Sequence, residues 1–345
     1  MGAGSPSEPI VTVIVTGAAG FIGSHVAHAL LARGEQVLGL DNLNDYYSVR
    51  LKEDRLRRLQ ERPGFRFVQL DVADRVAVFA AFDAAPEATH VVHLAAQAGV
   101  RYSMIDPYAY VASNVMGHLV LLEAARRLPR LQHLVYASSS SVYGGNTKLP
   151  FAETDRVDTP ISLYAATKRM DELTSYAYAH LYGVPQTGLR FFTVYGPWGR
   201  PDMAYYSFAQ AIIEGRPITL YDDGRVKRDF TFVDDVVDGV LACLERPPTG
   251  RTPLLFNIGN HRAEYVTDLV RLLEEGLGRR AEVRYTPRPA ADVAETWADL
   301  DAIEAHTGYR PKTPLSVGIP RFVDWFQAYA RNEPASALDA PPARA

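Results

Sequence analysis

Three closely spaced glycines between a predicted strand and a predicted helix constrain this chain more than any other feature of its sequence. The apolar, β-branched stretch Val11–Val15 runs into the loop Thr16–Gly23, and apolar residues then recur at helical spacing as far as Ala32. The glycines are Gly17, Gly20 and Gly23. In that order they permit a tight turn, a close approach of backbone to a pyrophosphate, and close packing of helix on strand. Because a helix N-terminus also attracts anions, the segment predicts a dinucleotide site rather than an unliganded glycine-rich loop.

Carboxylates end the next two predicted strands. Asp41 follows the apolar run Gln36–Leu40, about twenty residues beyond the glycine loop. A carboxylate at that position accepts hydrogen bonds from both ribose hydroxyls and repels a 2′-phosphate, which favours NAD over NADP. Asp71 follows the run Phe65–Leu70, where it could reach the adenine edge or be an ordinary carboxylate at a strand end.

Strand-like and helix-like segments alternate through the first half of the chain. Further apolar runs lie at His90–Leu94 and Leu134–Ala137, and helices are predicted at Tyr110–Arg127 and Ala165–Leu181. This alternation predicts an α/β fold built on a Rossmann-type, doubly wound parallel sheet. From about Gly196, prolines and glycines separate shorter elements, which predicts a smaller C-terminal substrate lobe.

These patterns suggest a domain plan. We predict a disordered tail at 1–9, a Rossmann domain at 10–195, a lobe that is mainly for substrate at 196–331, and a second disordered tail at 332–345. Segments from about 229 to 260, around Phe230–Glu245 and Leu255–Ile258, are expected to return to the main sheet.

Composition excludes several classes of partner. The net charge of −4 gives no basic surface for nucleic acid. No apolar run approaches the roughly 18 residues of a membrane helix, and the start of the chain does not have the build of a signal peptide. The single cysteine, Cys243, cannot form an internal disulfide, which favours a reducing, cytoplasmic location. The nine histidines are scattered without a ligand pattern, so no metal site is predicted.

A tyrosine and a lysine share one face of a predicted helix. Tyr164 and Lys168 stand four residues apart, and this spacing brings their side chains together. A phenol is a poor base at neutral pH, but a neighbouring ammonium favours its phenolate. The cluster Ser138–Ser141 follows the apolar run Leu134–Ala137, so its hydroxyls should lie at the carboxyl edge of the sheet, where ligands bind. Tyr164 is therefore a candidate general base, and the serines are candidate contacts for a sugar.

Taken together, these stretches resemble the extended short-chain dehydrogenases/reductases, within the NAD-dependent epimerase family, from about Val11 to Trp325. The matching stretches are Gly17–Gly23, His93–Ala96, Ser138–Gly144, Tyr164–Lys168 and Lys227–Asp235. Three further stretches are similar to the UDP-glucuronate 4-epimerases in particular, namely Asn44–Tyr47, Ala96–Ser103 and Arg190–Met203.

The resemblance implies a catalytic triad of Ser139, Tyr164 and Lys168. Tyr164 would deprotonate the C4 hydroxyl of a UDP-sugar while hydride passes from C4 to bound NAD. The 4-keto sugar would then turn over, take hydride back on its other face, and recover its proton from Tyr164. UDP-glucuronate and UDP-galacturonate would be interconverted in this way. The resemblance also implies a homodimer formed through the helices predicted at Tyr110–Arg127 and Ala165–Leu181.

The same resemblance separates this chain from related enzymes that also form a 4-keto sugar. The 4,6-dehydratases carry Asp and Glu just after the catalytic hydroxyl, and the decarboxylases keep a Glu there. This chain has Ser140 and Ser141, which are neither strong acids nor strong bases. Thr193 stands where the UDP-galactose 4-epimerases have Asn. A UDP-glucose or UDP-N-acetylglucosamine 4-epimerase and a UDP-glucuronate decarboxylase remain alternatives, and a non-catalytic NAD sensor would not need Tyr164 and Lys168 together.

The residues and the resemblance together define a candidate site. Arg228 resembles the diphosphate-binding Arg of the family, and Asp292 resembles a ribose-contacting Asp, although Ala291 stands where the family usually has Gly. The candidate NAD contacts are Gly17, Gly20, Phe21, Ile22, Gly23, Asp41, Asn42, Asp71, Val72, Leu94, Ala95, Ala96, Asn114, Tyr164 and Lys168. The candidate UDP-sugar contacts are Arg101, Ser139, Ser140, Ser141, Tyr164, Thr193, Arg200, Arg228 and Asp292.

Overall fold

Strands and helices alternate regularly up to residue 191, and the order becomes less regular beyond it. The computed structural model describes residues 12–289 and 293–332. The strands are β1 (Thr12–Thr16), β2 (Gln36–Asp41), β3 (Phe65–Gln69), β4 (His90–His93), β5 (His133–Ser139), β6 (Gln186–Phe191), β7 (Thr193–Tyr195), β8 (Ile218–Tyr221), β9 (Lys227–Arg228), β10 (Phe230–Phe232), β11 (Leu254–Ile258), β12 (Glu264–Tyr265) and β13 (Val283–Thr286). The α-helices are α1 (Phe21–Ala32), α2 (Val49–Gln60), α3 (Arg75–Asp83), α4 (Pro107–Tyr110), α5 (Gly117–Ala125), α6 (Leu163–Tyr182), α7 (Ala204–Glu214), α8 (Val233–Leu244), α9 (Val266–Leu277), α10 (Asp301–Thr307) and α11 (Leu315–Asn332). The tails predicted at 1–9 and 332–345 lie outside the described residues, except that α11 extends to Asn332.

The central sheet has seven parallel strands in the order β3-β2-β1-β4-β5-β6-β11. The third strand in this order, β1, pairs on one side with β2 and on the other with β4, so that Val15 lies between Gly39 and Val92. The order reverses at β1, as in doubly wound nucleotide-binding sheets, and such sheets bind ligands outside the carboxyl ends of the strands at that point. The predicted fold class is confirmed.

Helices cover both faces of this sheet, which explains why the three central residues of β1 are all apolar. Val13 and Val15 face one side and share a core with residues of α1 and α8. Ile14 faces the other side and shares a second core with residues of α3 and α5. Because successive side chains of a strand point to opposite faces, a strand buried on both faces has no polar alternation.

The helix predicted at Tyr110–Arg127 has three parts. It begins earlier, at Pro107, passes through a π-helical stretch at Val111–Met116, and ends at Ala125. Asn114 lies in the π-helical stretch and is buried. Its Oδ1 accepts from the Gln97 amide at 2.8 Å, and its Nδ2 donates to the Gln97 carbonyl and to Thr167 Oγ1. Asn114 therefore ties the loop that follows β4 to α6.

The C-terminal part of the chain combines three two-stranded sheets with an aromatic helical core. β7 pairs with β10, β8 with β13, and β9 with β12. Helices α7, α9 and α11 pack around buried aromatic residues such as Tyr206 and Phe326. Of the segments expected to return to the main sheet, β11 pairs with β6 and α8 packs on α1, whereas β10 pairs with β7 outside that sheet. Within residues 12–289 and 293–332, the helices are all too short or too polar to span a bilayer.

Candidate active site

A cleft lies along the carboxyl ends of the central strands, with a cavity volume of about 390 Å³. Most of the residues predicted to bind cofactor or substrate line it. These are Gly17, Gly20, Phe21, Ile22, Gly23, Asp41, Asn42, Val72, Leu94, Ala95, Ala96, Ser139, Ser140, Ser141, Tyr164, Lys168, Thr193 and Arg200. The structure therefore brings the glycine loop, the serine cluster and the Tyr-Lys pair to one cavity, and its size is typical of a ligand site.

The glycine loop is packed so tightly that side chains do not fit. Gly17 has a φ of +69°, and a Cβ there would lie 2.8 Å from the amide nitrogen of Ala95. A Cβ on Gly23 would lie 2.0 Å from the carbonyl oxygen of Gly17. Among the described residues, no side chain caps the N-terminus of α1, at Gly20. The loop thus leaves backbone at the wall of the cleft and the positive end of α1 directed to it, a cradle that fits a pyrophosphate.

Asp41 joins this loop to the second strand. Its Oδ2 accepts from the Ala19 amide at 3.0 Å, and its Oδ1 accepts from the Leu43 amide at 2.9 Å. The side chain is 8% exposed and lines the cleft. Each carboxylate oxygen can accept more than one hydrogen bond, so Asp41 can hold the loop and a ribose together.

The N-cap of α6 fixes where Tyr164 enters the cleft. Ser162 Oγ accepts from the Ala165 amide at 3.1 Å, so the helix starts at Leu163 and Tyr164 lies in its first turn. Lys168 lies one turn later and is buried, and its Nζ donates to the Ala137 carbonyl at 3.0 Å and to Asp171 Oδ2 at 3.1 Å. The ring of Tyr164 meets that of Tyr110 edge to face, with 6.0 Å between centroids.

The serine cluster continues from the last residues of β5 into a short 3-10 turn at Ser140–Tyr143. Ser138 is directed into the protein, where its Oγ donates to Glu172 Oε1 at 2.7 Å. Ser139 Oγ accepts from the Ser141 amide at 3.2 Å. The turn thus presents the hydroxyl groups of Ser139, Ser140 and Ser141 at the cleft wall.

A buried ion pair between Arg190 and Glu172 lies behind the serine cluster, in the protein interior. Both nitrogens of an Arg190 fork bond Glu172, at 2.8 and 2.9 Å, and the side chains are 1% and 3% exposed. Burial opposes the charge of Glu172, but the hydrogen bonds and the charge of Arg190 outweigh it and lower the pKa of the carboxyl. Because Glu172 also accepts from Ser138, the pair ties α6 and β6 to the end of β5.

The sequence reasoning missed two cationic residues of α2, one that lines the cleft and one that bonds the glycine loop behind it. Lys52 lines the cleft, and its Nζ donates to the carbonyl and Oδ1 of Asn44 at 2.5 and 2.7 Å. Burial lowers the pKa of Lys52 to about 8, against the opposing charge of Asp41. Such residues look like the polar face of an amphipathic helix in the sequence, and no local pattern marks them as buried.

Arg55, the second of these residues, is fully buried and bridges distant parts of the chain. Its guanidinium donates to the carbonyl of Ala19 at 3.1 Å and to the hydroxyl of Tyr47 at 2.7 Å. It also donates to the carbonyls of Trp198 at 3.0 Å and Gly199 at 2.9 Å. The glycine loop and the segment after β7 are therefore held by one side chain.

Four predicted contacts do not line the cleft as the structure has it. Asp71 is exposed and accepts from Asn42 Nδ2 at 3.0 Å, and Asn114 is buried among the hydrogen bonds described above. Arg101 is exposed, with its guanidinium over the ring of Tyr221. Arg228 bonds the Lys227 carbonyl at 2.8 Å. Asp292 lies outside the described residues. Over the part of the chain that the structure describes, no group of three or more potential metal ligands occurs.

The fold and the cleft define a nucleotide-binding α/β protein with a Tyr-Lys pair in the cleft, and comparison with known families places it more closely. The model of the NAD dependent epimerase/dehydratase family matches residues 13–259. This chain belongs to that family, which confirms the resemblance noted in its motifs.

Individual relatives narrow the comparison further. UDP-glucuronate 4-epimerase 4 of Arabidopsis thaliana is 47% identical over 341 residues, which cover 95% of this chain and 78% of the relative. The crystal structure of UDP-glucuronic acid 4-epimerase from Bacillus cereus, with UDP-glucuronic acid and NAD, matches with a TM-score of 0.85 and 32% identity, covering 92% of this chain and 100% of that one. UDP-glucose 4-epimerase from Thermotoga maritima, with UDP-glucose, matches with a TM-score of 0.83 and 31% identity, covering 92% and 99%.

Proposed function

We propose that this chain is a UDP-glucuronate 4-epimerase, an NAD-dependent isomerase that interconverts UDP-glucuronate and UDP-galacturonate. The observation that carries the proposal is the composition of the cleft. Tyr164, Lys168 and the serines meet there beside the glycine loop, and Asp41 is the only acidic residue among the described residues that line it. The relatives with this name align over nearly the whole chain.

The cofactor site is assigned to residues whose geometry fits NAD. The cradle of Gly17, Gly20 and Gly23 would hold the pyrophosphate, and Asp41 the adenosine ribose, with Asn42 and Val72 beside it. Leu94, Ala95 and Ala96 would line the path towards Lys168. When bound, NAD supplies reversible hydride acceptance from C4 of the sugar. We infer that residues 10–195, joined by α8 and β11 from the later segment, form the NAD-binding part, and that 196–331 otherwise mainly serves the UDP-sugar.

The residues of the chain itself handle the proton and the geometry. Tyr164 takes the proton of the C4 hydroxyl and later returns it, and the Lys168 ammonium stabilises the phenolate between these steps. Ser139 holds the C4 oxygen beside Tyr164 through its hydroxyl. No group other than Tyr164 is needed for proton transfer in an epimerisation.

Hydroxyl side chains in the cleft also explain why the 4-keto sugar is expected neither to lose its carboxylate as CO₂ nor to undergo elimination at C5 and C6. A 4-keto uronate is a β-keto acid, which loses CO₂ unless its carboxylate is held away from the reactive orientation. Ser140, Ser141 and Thr193 can hold that carboxylate by hydrogen bonds. None of the three can act as the acid or base that elimination at C5 and C6 requires.

Arginines are assigned to the diphosphate and the carboxylate. Arg200 lines the cleft and is oriented by Asp202, which its Nε meets at 3.0 Å and which Tyr46 also bonds at 3.2 Å. Asp202 engages both Nε and Nη2 of Arg200, so a phosphate oxygen would meet the remaining N–H groups of the guanidinium. Arg101, Arg228 and Asp292 remain proposed contacts for the UDP moiety.

A proton NMR time course with UDP-glucuronate and no added reductant tests the function directly. New anomeric signals of UDP-galacturonate at constant total uronate are the expected result. A pentose product would mean decarboxylation and would contradict the role given to Ser140 and Ser141. Turnover of only UDP-glucose or UDP-N-acetylglucosamine would keep the mechanism and change the substrate.

We further infer that the protein is a homodimer, because α6 and the neighbouring helix that begins at Pro107 share an exposed apolar surface. On α6, Met170, Leu173 and Tyr176 are 47%, 55% and 55% exposed at helical spacing. On the neighbouring helix, Tyr108 and Val111 are 83% and 47% exposed. A contiguous apolar surface of this kind marks an interaction site. We also propose a cytoplasmic location, which the lone, buried Cys243 supports.

Leu173→Glu should therefore dissociate the protein into monomers, because it places a charge in the middle of the apolar surface. Sedimentation velocity at micromolar concentration measures this. Val317→Glu serves as the matched control, since Val317 is 41% exposed on α11 and should leave the oligomer intact. A wild-type protein that already sediments as a monomer would contradict the proposed dimer.

A further inference from the structure

The helix that carries Tyr164 and Lys168 also carries a buried carboxylate that the proposed chemistry does not use. Asp171 lies three residues after Lys168, and its side chain is 2% exposed. Its Oδ2 accepts from Lys168 Nζ at 3.1 Å. Its Oδ1 is buried and has no hydrogen-bond partner among the described residues. The side chain is thus committed to the ammonium of Lys168.

The hydrogen bonds of Lys168 leave one N–H donor of its ammonium group for the cleft. An ammonium group has three donors. One is used by the carbonyl of Ala137, at the end of β5, and one by Asp171. The third remains for the cleft, which Lys168 lines together with Tyr164.

We propose that Asp171 is a positioning residue that holds the Lys168 ammonium and offsets its charge, and so sets the pH above which Tyr164 can act as a base. The proposal rests on the proposed function, in which Tyr164 is the base. A lone ammonium close to a phenol favours the phenolate, whereas an ammonium paired with a carboxylate carries little net charge and favours it less.

The other charged and titratable groups around this pair do not supply the same offset. They come from α6, α4, α5, β4, β5 and β6, and they are Glu172, Tyr110, His118, His93, Tyr136 and Arg190. Burial lowers the pKa of His118 to about 3 and holds that of His93 well below its usual range, so both are neutral. Glu172 is paired with Arg190.

Burial raises the pKa of Asp171 to about 6, against the lowering effect of Lys168. The carboxylate is therefore charged above that pH. Asp171 is the only acidic group that bonds the ammonium of Lys168 within the described part of the chain.

The substitution Asp171→Asn tests the proposal, because it removes the charge and keeps the shape and an oxygen that can accept from Lys168. The acid limb of the pH profile of kcat/KM should move to lower pH, by on the order of one pH unit. NAD content and the maximal rate should stay within about threefold of the wild type. Asp171→Glu should restore the wild-type midpoint. An unmoved midpoint, or a loss of activity that is equal at every pH, would overturn the proposal.

A second measurement keeps this test separate from the proposed substrate. The ultraviolet absorbance of tyrosinate in the NAD-loaded protein, referenced to Tyr164→Phe, follows the titration of Tyr164 without turnover. Its midpoint should also fall in Asp171→Asn, and an unchanged midpoint would overturn the proposal even if UDP-glucuronate proved not to be the substrate. Asp238→Asn is the matched control, since it removes an exposed carboxylate that pairs with Lys312 at 3.3 Å.

Discussion

Replacing Tyr164 with Phe is expected to lower kcat for UDP-glucuronate by about 10²–10⁴-fold, the range that a positioned acid-base group contributes. Phe keeps the ring and its edge-to-face contact with Tyr110, and it removes only the hydroxyl that would exchange a proton with C4. The KM, the bound NAD content and the thermal midpoint should change little. Steady-state kinetics with the product assay and quantification of released NAD measure these quantities.

The control is the same substitution at an exposed tyrosine remote from the cleft. Tyr285, on β13, is 57% exposed, and Tyr285→Phe should leave kcat unchanged. If Tyr164→Phe retained more than about a tenth of wild-type kcat, Tyr164 would not be the acid-base group. Loss of NAD together with activity would instead assign the hydroxyl to cofactor binding.

The substitution Glu172→Gln is expected to lower the free energy of unfolding by about 3–5 kcal/mol, because it leaves Arg190 buried without a counter-charge. Arg190 is 1% exposed, so solvent cannot replace the lost carboxylate. Its remaining contact with the ring of Tyr143, at 4.8 Å, is much weaker than a fork of charged hydrogen bonds. Urea unfolding followed by circular dichroism measures the loss.

Two further variants serve as controls for this prediction, one at an exposed ion pair and one that removes both buried charges. Glu275→Gln breaks an ion pair with Arg271 whose side chains are 59% and 53% exposed, and it should cost less than about 0.5 kcal/mol. The double variant Glu172→Leu with Arg190→Met removes both charges and should be more stable than Glu172→Gln. If the free energy of unfolding of Glu172→Gln lay within about 1 kcal/mol of the wild-type value, the buried pair would contribute little to stability.

The nucleotide-binding half was predictable because its signals are local. A glycine loop, a strand and a helix are adjacent in the chain, so β1, α1 and Asp41 could be placed without tertiary information. The C-terminal half pairs segments that are far apart, such as Thr193 with Phe230 and Ile218 with Val283. No turn signal links such strands, which is why β10 was expected in the main sheet and pairs instead with β7.

In the candidate site too, some residues could be predicted from local sequence and others only from tertiary packing. The spacing of Tyr164 and Lys168 follows from helix geometry, and the serine cluster follows from its position after a strand. Lys52, Arg55 and Asp171 are charged residues of helices, and only the packed structure shows that they are buried. A charged side chain is buried only where it meets suitable partners, and these can be far away in the sequence. A single sequence therefore does not reveal which charges are buried.

Arg55 also gives the molecule a mechanical property. It bonds the carbonyl of Ala19 in the glycine loop and those of Trp198 and Gly199 in the segment between β7 and α7. Each of these two segments also carries residues that line the cleft, Gly20 in the first and Arg200 in the second. A hinge motion along this seam would strip a buried guanidinium of its acceptors, which makes the seam stiff. The aperture of the cleft is thus fixed at this point. Under the proposed function, a sugar that shows first one face and then the other to the same cofactor has to turn inside a frame that does not widen at this point.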